Sequence, residues 1–217
     1  GSEGISELLE IIEERSPLTI GDSIIALGRI GDQRAVPSLL MTLNHADVGL
    51  RPKIVETLGL LGDRSALSRI VDLLADPDEK VQLNAIRAVQ RIPDLRAVKP
   101  IIRILHRTQN TELRLQAVIA LATSGSQKAV AILSALLPGA DVALQRAIAE
   151  ALGHINSPEA SEVLVELLHA GDLSIVSKAL AGMRKFPALT ALPVLVELAG
   201  HPNVDIRRHT LEVLAEI

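Results

Sequence analysis

One feature constrains this chain more than any other: it repeats itself every 31 residues. The segments ALGRIGD, TLGLLGD, AVQRIPD, ALATSGS, ALGHINS and GMRKFPA align on Leu27, Leu58, Val89, Leu121, Leu152 and Met183, and Leu214 continues the series. Five intervals are 31 residues and one is 32, the extra residue falling around Arg107, Thr108 and Gln109. A fixed period of this length is the mark of a repeat architecture, in which one small unit is stacked on its neighbours.

The same register predicts rows on which it was not built. Thr19, Leu50, Val81, Leu113, Leu144, Ile175 and Ile206 are apolar after the first member. Ser16, Asp47, Asp78, Asn110, Asp141, Asp172 and Asn203 are all residues whose side-chain oxygen can accept from the free N–H groups of a starting helix. Asp32, Asp63, Asp94, Ser126 and Ser157 form a second capping row, broken at Ala188. Two caps per period mean two helices per repeat. We call them A and B.

In the first full unit, helix B carries Val36, Leu39, Leu40 and Leu43, the spacing of a single buried stripe. Shifted back by 31, those positions hold Ile5, Leu8, Leu9 and Ile12, so the chain opens on a B helix. It closes on an A helix, Val204 to Ile217. The expected organisation is one all-α domain over 3–217, an α-solenoid of about seven helical hairpins. A half-repeat B helix (3–15) precedes six full repeats (16–201), and a half-repeat A helix (202–217) follows. Gly1-Ser2 reads as a vector scar. Leu211, Leu214 and Ile217 would lie partly uncovered on the last helix, which leads to the expectation of a segment from a longer polypeptide.

Composition agrees with helix packing. Hydrophobic residues make up 48%, yet Phe186 is the whole aromatic complement, which suits interlocking aliphatic helices better than a β-sandwich or barrel. The net charge is −4, so no global positive field would gather nucleic acid or anionic membrane. Cysteine is absent, which removes disulfides, thiolate nucleophiles and sulfur-ligated metals, and fits a reducing cytoplasm. No apolar run approaches the ~18 residues of a membrane span.

The phrases ALGRIGDQRAVPSLL, TLGLLGDRSALSRIVDLL and ALGHINSPEASEVLVELL resemble HEAT repeats, most of all the short bacterial and archaeal form also found in phycobilisome-lyase-type proteins. The resemblance runs from about Ile5 to Ile217. It implies a right-handed superhelix with A helices on the convex side and B helices on the concave side, and a scaffold or adaptor role. The family's basic residue early in helix A is matched by Arg51, Arg114 and Arg207, but Ile20, Gln82, Gln145 and Val176 interrupt that series.

With the B-helix stripe buried, register places Glu10, Met41, Asp72, Arg103, Ala135, Glu166 and Glu197 on the outward row. Arg96, Lys99 and Arg107 flank it in the third repeat, and Glu159 and Glu162 in the fifth. A neighbouring row brings Ile132, Val163 and Val194 beside the acidic patch. Both signs of charge next to an apolar strip suit a protein or peptide partner with complementary patterning. The alternative for each residue singly is a solvated charge, or an aliphatic contact between repeats.

Other chemistries have weaker support. His45 and His201 occupy equivalent positions five repeats apart, and His106 and His169 two repeats apart; helices packed ~8–10 Å apart cannot bring residues so separated to one ion, and His154 and His209 lie on A helices. Glu166-Leu-Leu-His169 has the Glu-x-x-His spacing of di-iron bundles, but the equivalent segment of the third repeat is Arg103-Ile-Leu-His106. GRIG at 28–31 and GLLG at 59–62 recur in register, so close packing explains Gly28 and Gly59, and a helix C-cap explains Gly31 and Gly62. No catalytic constellation, cofactor site or metal site emerges. Nucleic-acid binding through Arg96, Lys99, Arg103 and Arg107 is the principal rival, opposed by Glu159, Glu162, Glu166 and Glu197 and by the lack of Trp and Tyr for base stacking. A subunit of a phycobilin-lyase-like enzyme is the rival that repeat type alone suggests. The expected function is a cytoplasmic protein–protein scaffold, with no membrane contact.

Overall fold

A computed structural model describes residues 2–14, 19–47, 49–126 and 128–217. Among them are fourteen α-helices and no strand. The N-terminal B helix is α1 (Ser2–Glu13). Six A–B pairs follow: α2 (Ile20–Ile30) with α3 (Val36–Leu43), α4 (Arg51–Leu61) with α5 (Leu67–Leu73), α6 (Glu79–Arg91) with α7 (Val98–Arg107), α8 (Thr111–Thr123) with α9 (Ala129–Leu136), α10 (Val142–Ile155) with α11 (Pro158–Leu167), and α12 (Leu173–Met183) with α13 (Leu192–Ala199). The last A helix is α14 (Val204–Leu214). The all-α solenoid of six hairpins between two half-repeats is therefore the observed architecture. Among the described residues no helix is long and apolar enough to cross a membrane.

The residues fall into two compact units, 1–120 and 121–217. In each, A helices stack on A helices: α2 on α4 and α4 on α6 in the first, α10 on α12 and α12 on α14 in the second. The anchor row forms the core. Leu27, Leu58, Val89, Leu121, Leu152 and Met183 are all buried. So are Val81, Leu113, Leu144, Ile175 and Ile206 of the second apolar row.

Both capping rows do what their side chains predict. Asp78 accepts from Lys80 N (2.8 Å), Asp141 from Leu144 N (2.8 Å) and Asn203 from Asp205 N (2.9 Å). Ser16, the first member of that row, lies outside the described residues. In the second row Asp32, Asp63 and Asp94 accept from the N–H two residues on, and Ser157 from Ala160 N. Ala188 has no oxygen to offer and makes no cap bond. One detail differs from a plain helix start: after Asp32, Asp63, Asp94 and Ala188 the chain makes a three-residue 3-10 turn before helix B begins.

The ends of the A helices obey a matching rule. Gly31 (φ 76°), Gly62 (φ 68°) and Gly125 (φ 70°) take the left-handed conformation at equivalent positions, and Asn156 (φ 54°) does so as the non-glycine residue best suited to it. Pro93 and Pro187 occupy this row in the third and sixth repeats, where a proline ring fixes φ negative.

Close helix approach is set by small residues. A Cβ added to Gly59 on α4 would lie 2.8 Å from the Ala88 Cβ on α6, and one added to Gly153 on α10 would lie 2.8 Å from the Gly182 Cα on α12. Side chains then bridge to backbone across the stack: Thr57 donates to the Ile24 carbonyl (3.1 Å), Asn84 to that of Pro52 (2.8 Å) and Gln90 to that of Gln116 (2.8 Å). A different tie joins α4 to the loop after α5. The Arg51 guanidinium donates to the nearly buried Asp76 carboxylate (3.0 Å), which also accepts from Asp78 N (2.9 Å).

Three outcomes follow from this packing. Gly59→Ala and Gly153→Ala should each cost about 1–3 kcal/mol by overpacking, outweighing the ~1 kcal/mol by which alanine is the better helix former; a rise in urea midpoint for either would contradict the close approach. Asp76→Ala should cost about 1–3 kcal/mol, because it strands a guanidinium and an N–H; in that background Arg51→Met should cost little, as a double-mutant cycle would read. Hydrogen bonds from Arg96 hold the Asp94 carboxyl below its ordinary pKa, and those from Ser174 do the same to Asp172. Their contribution is therefore present above the unfolded-state value of about 3.9 and is lost as pH falls through the folded-state values. A Tm profile from pH 7 to pH 2 should show the gap between wild type and Asp94→Asn closing with acid.

Candidate functional site

The outward row is a consequence of the B-helix stripe. Once Leu39, Ile70 and Ile101 turn inward and are fully buried, Met41, Asp72 and Arg103 are left facing water two residues later. Met41 is 72% exposed. In the first unit Glu10 completes the exposed row; in the second it is Ala135, Glu166 and Glu197.

The basic patch on the first unit is narrower than its sequence suggests. Arg96 lies in the 3-10 turn and grips Asp94 through Nε (3.0 Å) and Nη2 (2.8 Å), while Asp94 also accepts the Arg96 N–H. The pairing raises the Arg96 pKa and lowers that of Asp94. Asp32 and Arg34 make the same clamp, with a 2.7 Å contact. Arg96 is thus a folding device with its charge answered inside the chain. Lys99, Arg103 and Arg107 are different. They are exposed, follow one another at i, i+4 and i+8 on α7, and none makes an ion pair among the described residues. Like charges at that spacing cost roughly 0.2–0.5 kcal/mol per pair, a cost that the helix dipole offsets for Arg107 in the last turn of α7.

Arg103 and Arg107 lie on the wall of a cleft of about 370 Å³. Gln82 and Glu79 at the start of α6, Thr108, and the apolar Leu74, Pro77, Pro100 and Ile104 complete the lining with Ala75. Sequence register alone did not bring Glu79, Gln82 and Thr108 to this place. The available signals were the extra residue at 107–109 and the interruption of the basic A-helix row at Gln82.

On the second unit the acidic residues separate into two kinds. Glu159 sits in the first turn of α11, where hydrogen bonds from its own N–H and from Ser157 lower its pKa. Glu162 accepts from the Thr190 hydroxyl (2.6 Å). Glu166 and Glu197 are exposed on α11 and α13. The apolar strip is more withdrawn than the register implies. Ile132 and Val163 are half-buried, and Val194 is buried, leaving it little surface for a partner.

The histidines are dispersed. His154 Nδ1 bonds the Glu150 carbonyl (2.8 Å), His201 Nδ1 accepts from Asn203 N (3.0 Å), and His209 Nδ1 meets the Ser177 hydroxyl (3.2 Å). His45, His106 and His169 are exposed. Among the described residues no three His, Cys, Asp or Glu side chains are grouped to hold a metal ion, Glu166 and His169 included.

Comparison with known proteins bears on this geometry. No curated protein matches the chain by sequence. Among solved structures, an engineered protein superposes with a TM-score of 0.67 at 20% identity, covering 98% of this chain and 67% of that one. The complex of CpcE and CpcF of phycocyanin lyase from Nostoc sp. PCC7120 gives 0.59 at 21% identity, over 98% and 86%. Computationally designed armadillo repeat proteins for modular peptide recognition give 0.56 at 19% identity, over 97% and 98%. At these identities the likeness is one of fold. The HEAT-repeat family matches residues 5–78, 68–144 and 133–215, which together span nearly the whole chain. With its 31-residue period, paired caps and stacked A helices, the chain belongs to the HEAT-repeat family.

Proposed function

We propose that this chain is a protein-binding scaffold that presents the outward face of its B helices to a protein or peptide partner. One observation carries the proposal: the buried positions of the B helices are aliphatic with Ser161 on α11 as the exception, while the outward position changes chemistry from helix to helix. In the first unit it runs from carboxylate to thioether to carboxylate to guanidinium at Glu10, Met41, Asp72 and Arg103. In the second it runs from methyl to two carboxylates at Ala135, Glu166 and Glu197. A constant frame bearing a varied, exposed row is suited to reading a partner's side chains one repeat at a time.

The residues we assign to this face are Met41, Asp72, Lys99, Arg103 and Arg107 on the first unit, and Glu166 and Glu197 on the second, with Ile132 and Val163 as partly covered apolar neighbours. Charge complementarity there would govern specificity and association rate more than raw affinity. The paired arginines also admit phosphates, but Glu79 and Asp72 on the same unit oppose them.

Affinity capture from lysate of the source cells, with wild type beside Arg103→Glu and Glu166→Arg, tests the proposal. A protein retained by wild type and lost by either variant, with unchanged circular dichroism, is the expected result. Retention indifferent to both reversals would remove the B-helix face from consideration. Captured nucleic acid whose retention falls steeply with salt would replace the partner class.

A further inference from the structure

Successive joints in the first unit are built from different chemistry, and the change falls beside Arg103. At the earlier joint, Arg51 spans to Asp76, and the Asp76 carboxylate also accepts from Asp78 N. One repeat later Gln82 stands in the place of Arg51. Thr108 stands in that of Asp76, for its hydroxyl accepts from Asn110 N (3.0 Å) as Asp76 accepts from Asp78 N. Both members of the Arg51–Asp76 ion pair are thus replaced by neutral side chains. At the same point α7 runs on to Arg107, whereas α5 stops at Leu73, so the longer helix carries a second guanidinium to the cleft.

The charges around the cleft do not balance. Both oxygens of Glu79 are already engaged, one by the Thr108 hydroxyl (3.0 Å) and the other by the Asn110 amide (2.9 Å). Arg103 and Arg107 have no ion-pair partner among the described residues and sit one helical turn apart. A guanidinium offers parallel N–H donors whose geometry matches a carboxylate. Beside them Pro77 and Pro100 supply apolar wall. A cleft of about 370 Å³ lies at the lower end of the roughly 300–1,000 Å³ range of binding pockets, room for one acidic side chain and part of its neighbour.

We propose that this cleft is a carboxylate-reading subsite for an acidic, aliphatic peptide segment of a partner protein. A Glu or Asp side chain of the peptide supplies the negative charge that Asp76 supplies one repeat earlier, and an adjacent aliphatic side chain lies against the prolines. The proposal rests on the B-helix face being a protein-binding surface and specifies what that surface selects. Glu79 in the same cleft offsets part of the charge of the two guanidiniums, leaving an excess suited to one carboxylate; a run of phosphates fits less well, because Asp72 also stands exposed in the preceding repeat.

The test is fluorescence anisotropy on the full chain with a fluorescein-labelled, acetylated peptide of alternating Leu and Glu, and with its twin carrying Gln for Glu. The Glu peptide should bind about tenfold more tightly than the Gln twin, and Arg103→Gln and Arg107→Gln should each cost about tenfold. Arg91→Gln removes the same charge from an exposed position outside the cleft and should leave affinity nearly unchanged. All three positions are exposed, and circular dichroism will verify that the variants fold. Equal affinity for the two peptides, cleft variants no worse than Arg91→Gln, absence of saturable binding, or displacement of the peptide by a single-stranded oligothymidylate would each overturn the carboxylate site. Any of these can occur while Arg103→Glu still loses a captured partner, so failure of the subsite is distinguishable from failure of the scaffold reading.

Discussion

The close contact between successive A helices is the constraint from which the rest of each unit follows. Gly59 admits Ala88 and Gly153 admits Gly182 at distances that no larger residue would allow. With the backbones this near, Leu58, Val89, Leu152 and Met183 are buried. That burial supplies the stabilisation: each such aliphatic side chain contributes about 1.5–3 kcal/mol when fully withdrawn from solvent. The B helices hang from this frame by short turns, so their outward positions are fixed by packing that occurs on the opposite side of the hairpin.

Helices of this length are marginal alone, which is why so many polar side chains are committed to their ends. α5 has only 7 residues and α10, the longest, has 14. A helix this short leaves a large share of its backbone donors without intrahelical partners, and Asp and Asn at equivalent positions answer that need repeat after repeat. The arginines follow the same economy of charge. Arg34 and Arg96 neutralise the very carboxylates that cap, and Arg51 closes a joint. Other cations, Arg29, Arg69 and Arg91 among them, also lack an ion pair among the described residues; what sets Arg103 and Arg107 apart is that they share one cleft.

Irregularity in a repeat protein is informative because regularity has already explained everything else. The extra residue near Thr108, the exchange of Arg51 for Gln82 and the longer α7 coincide in one joint. Each alone would be an ordinary variation. Together they replace the Arg51–Asp76 ion pair by neutral side chains and bring two arginines to a cleft that holds one carboxylate, Glu79, an excess of positive charge that makes the joint more receptive to an acidic side chain.

The fold was legible in the chain because its determinants are local and recur. An Asp or Asn before each helix, a Gly or Asn after the A helix and an aliphatic stripe at helical spacing state their structural roles within a few residues, and repetition in register separates them from chance. The outward row, from Glu10 to Glu197, followed from the same periodicity. What periodicity could not distinguish was a charge offered to solvent from a charge spent inside the chain. Arg96 and Arg103 look alike in sequence, yet one reaches back two residues to Asp94 and the other makes no ion pair among the described residues. Val163 and Val194 occupy equivalent positions, yet one is half-buried and the other buried. The cleft that gathers Glu79, Gln82, Arg103, Arg107 and Thr108 depends on where one helix ends and the next begins in space. Only tertiary packing decides that, because side-chain reach across a joint is set by the geometry of two neighbouring repeats and not by the period they share.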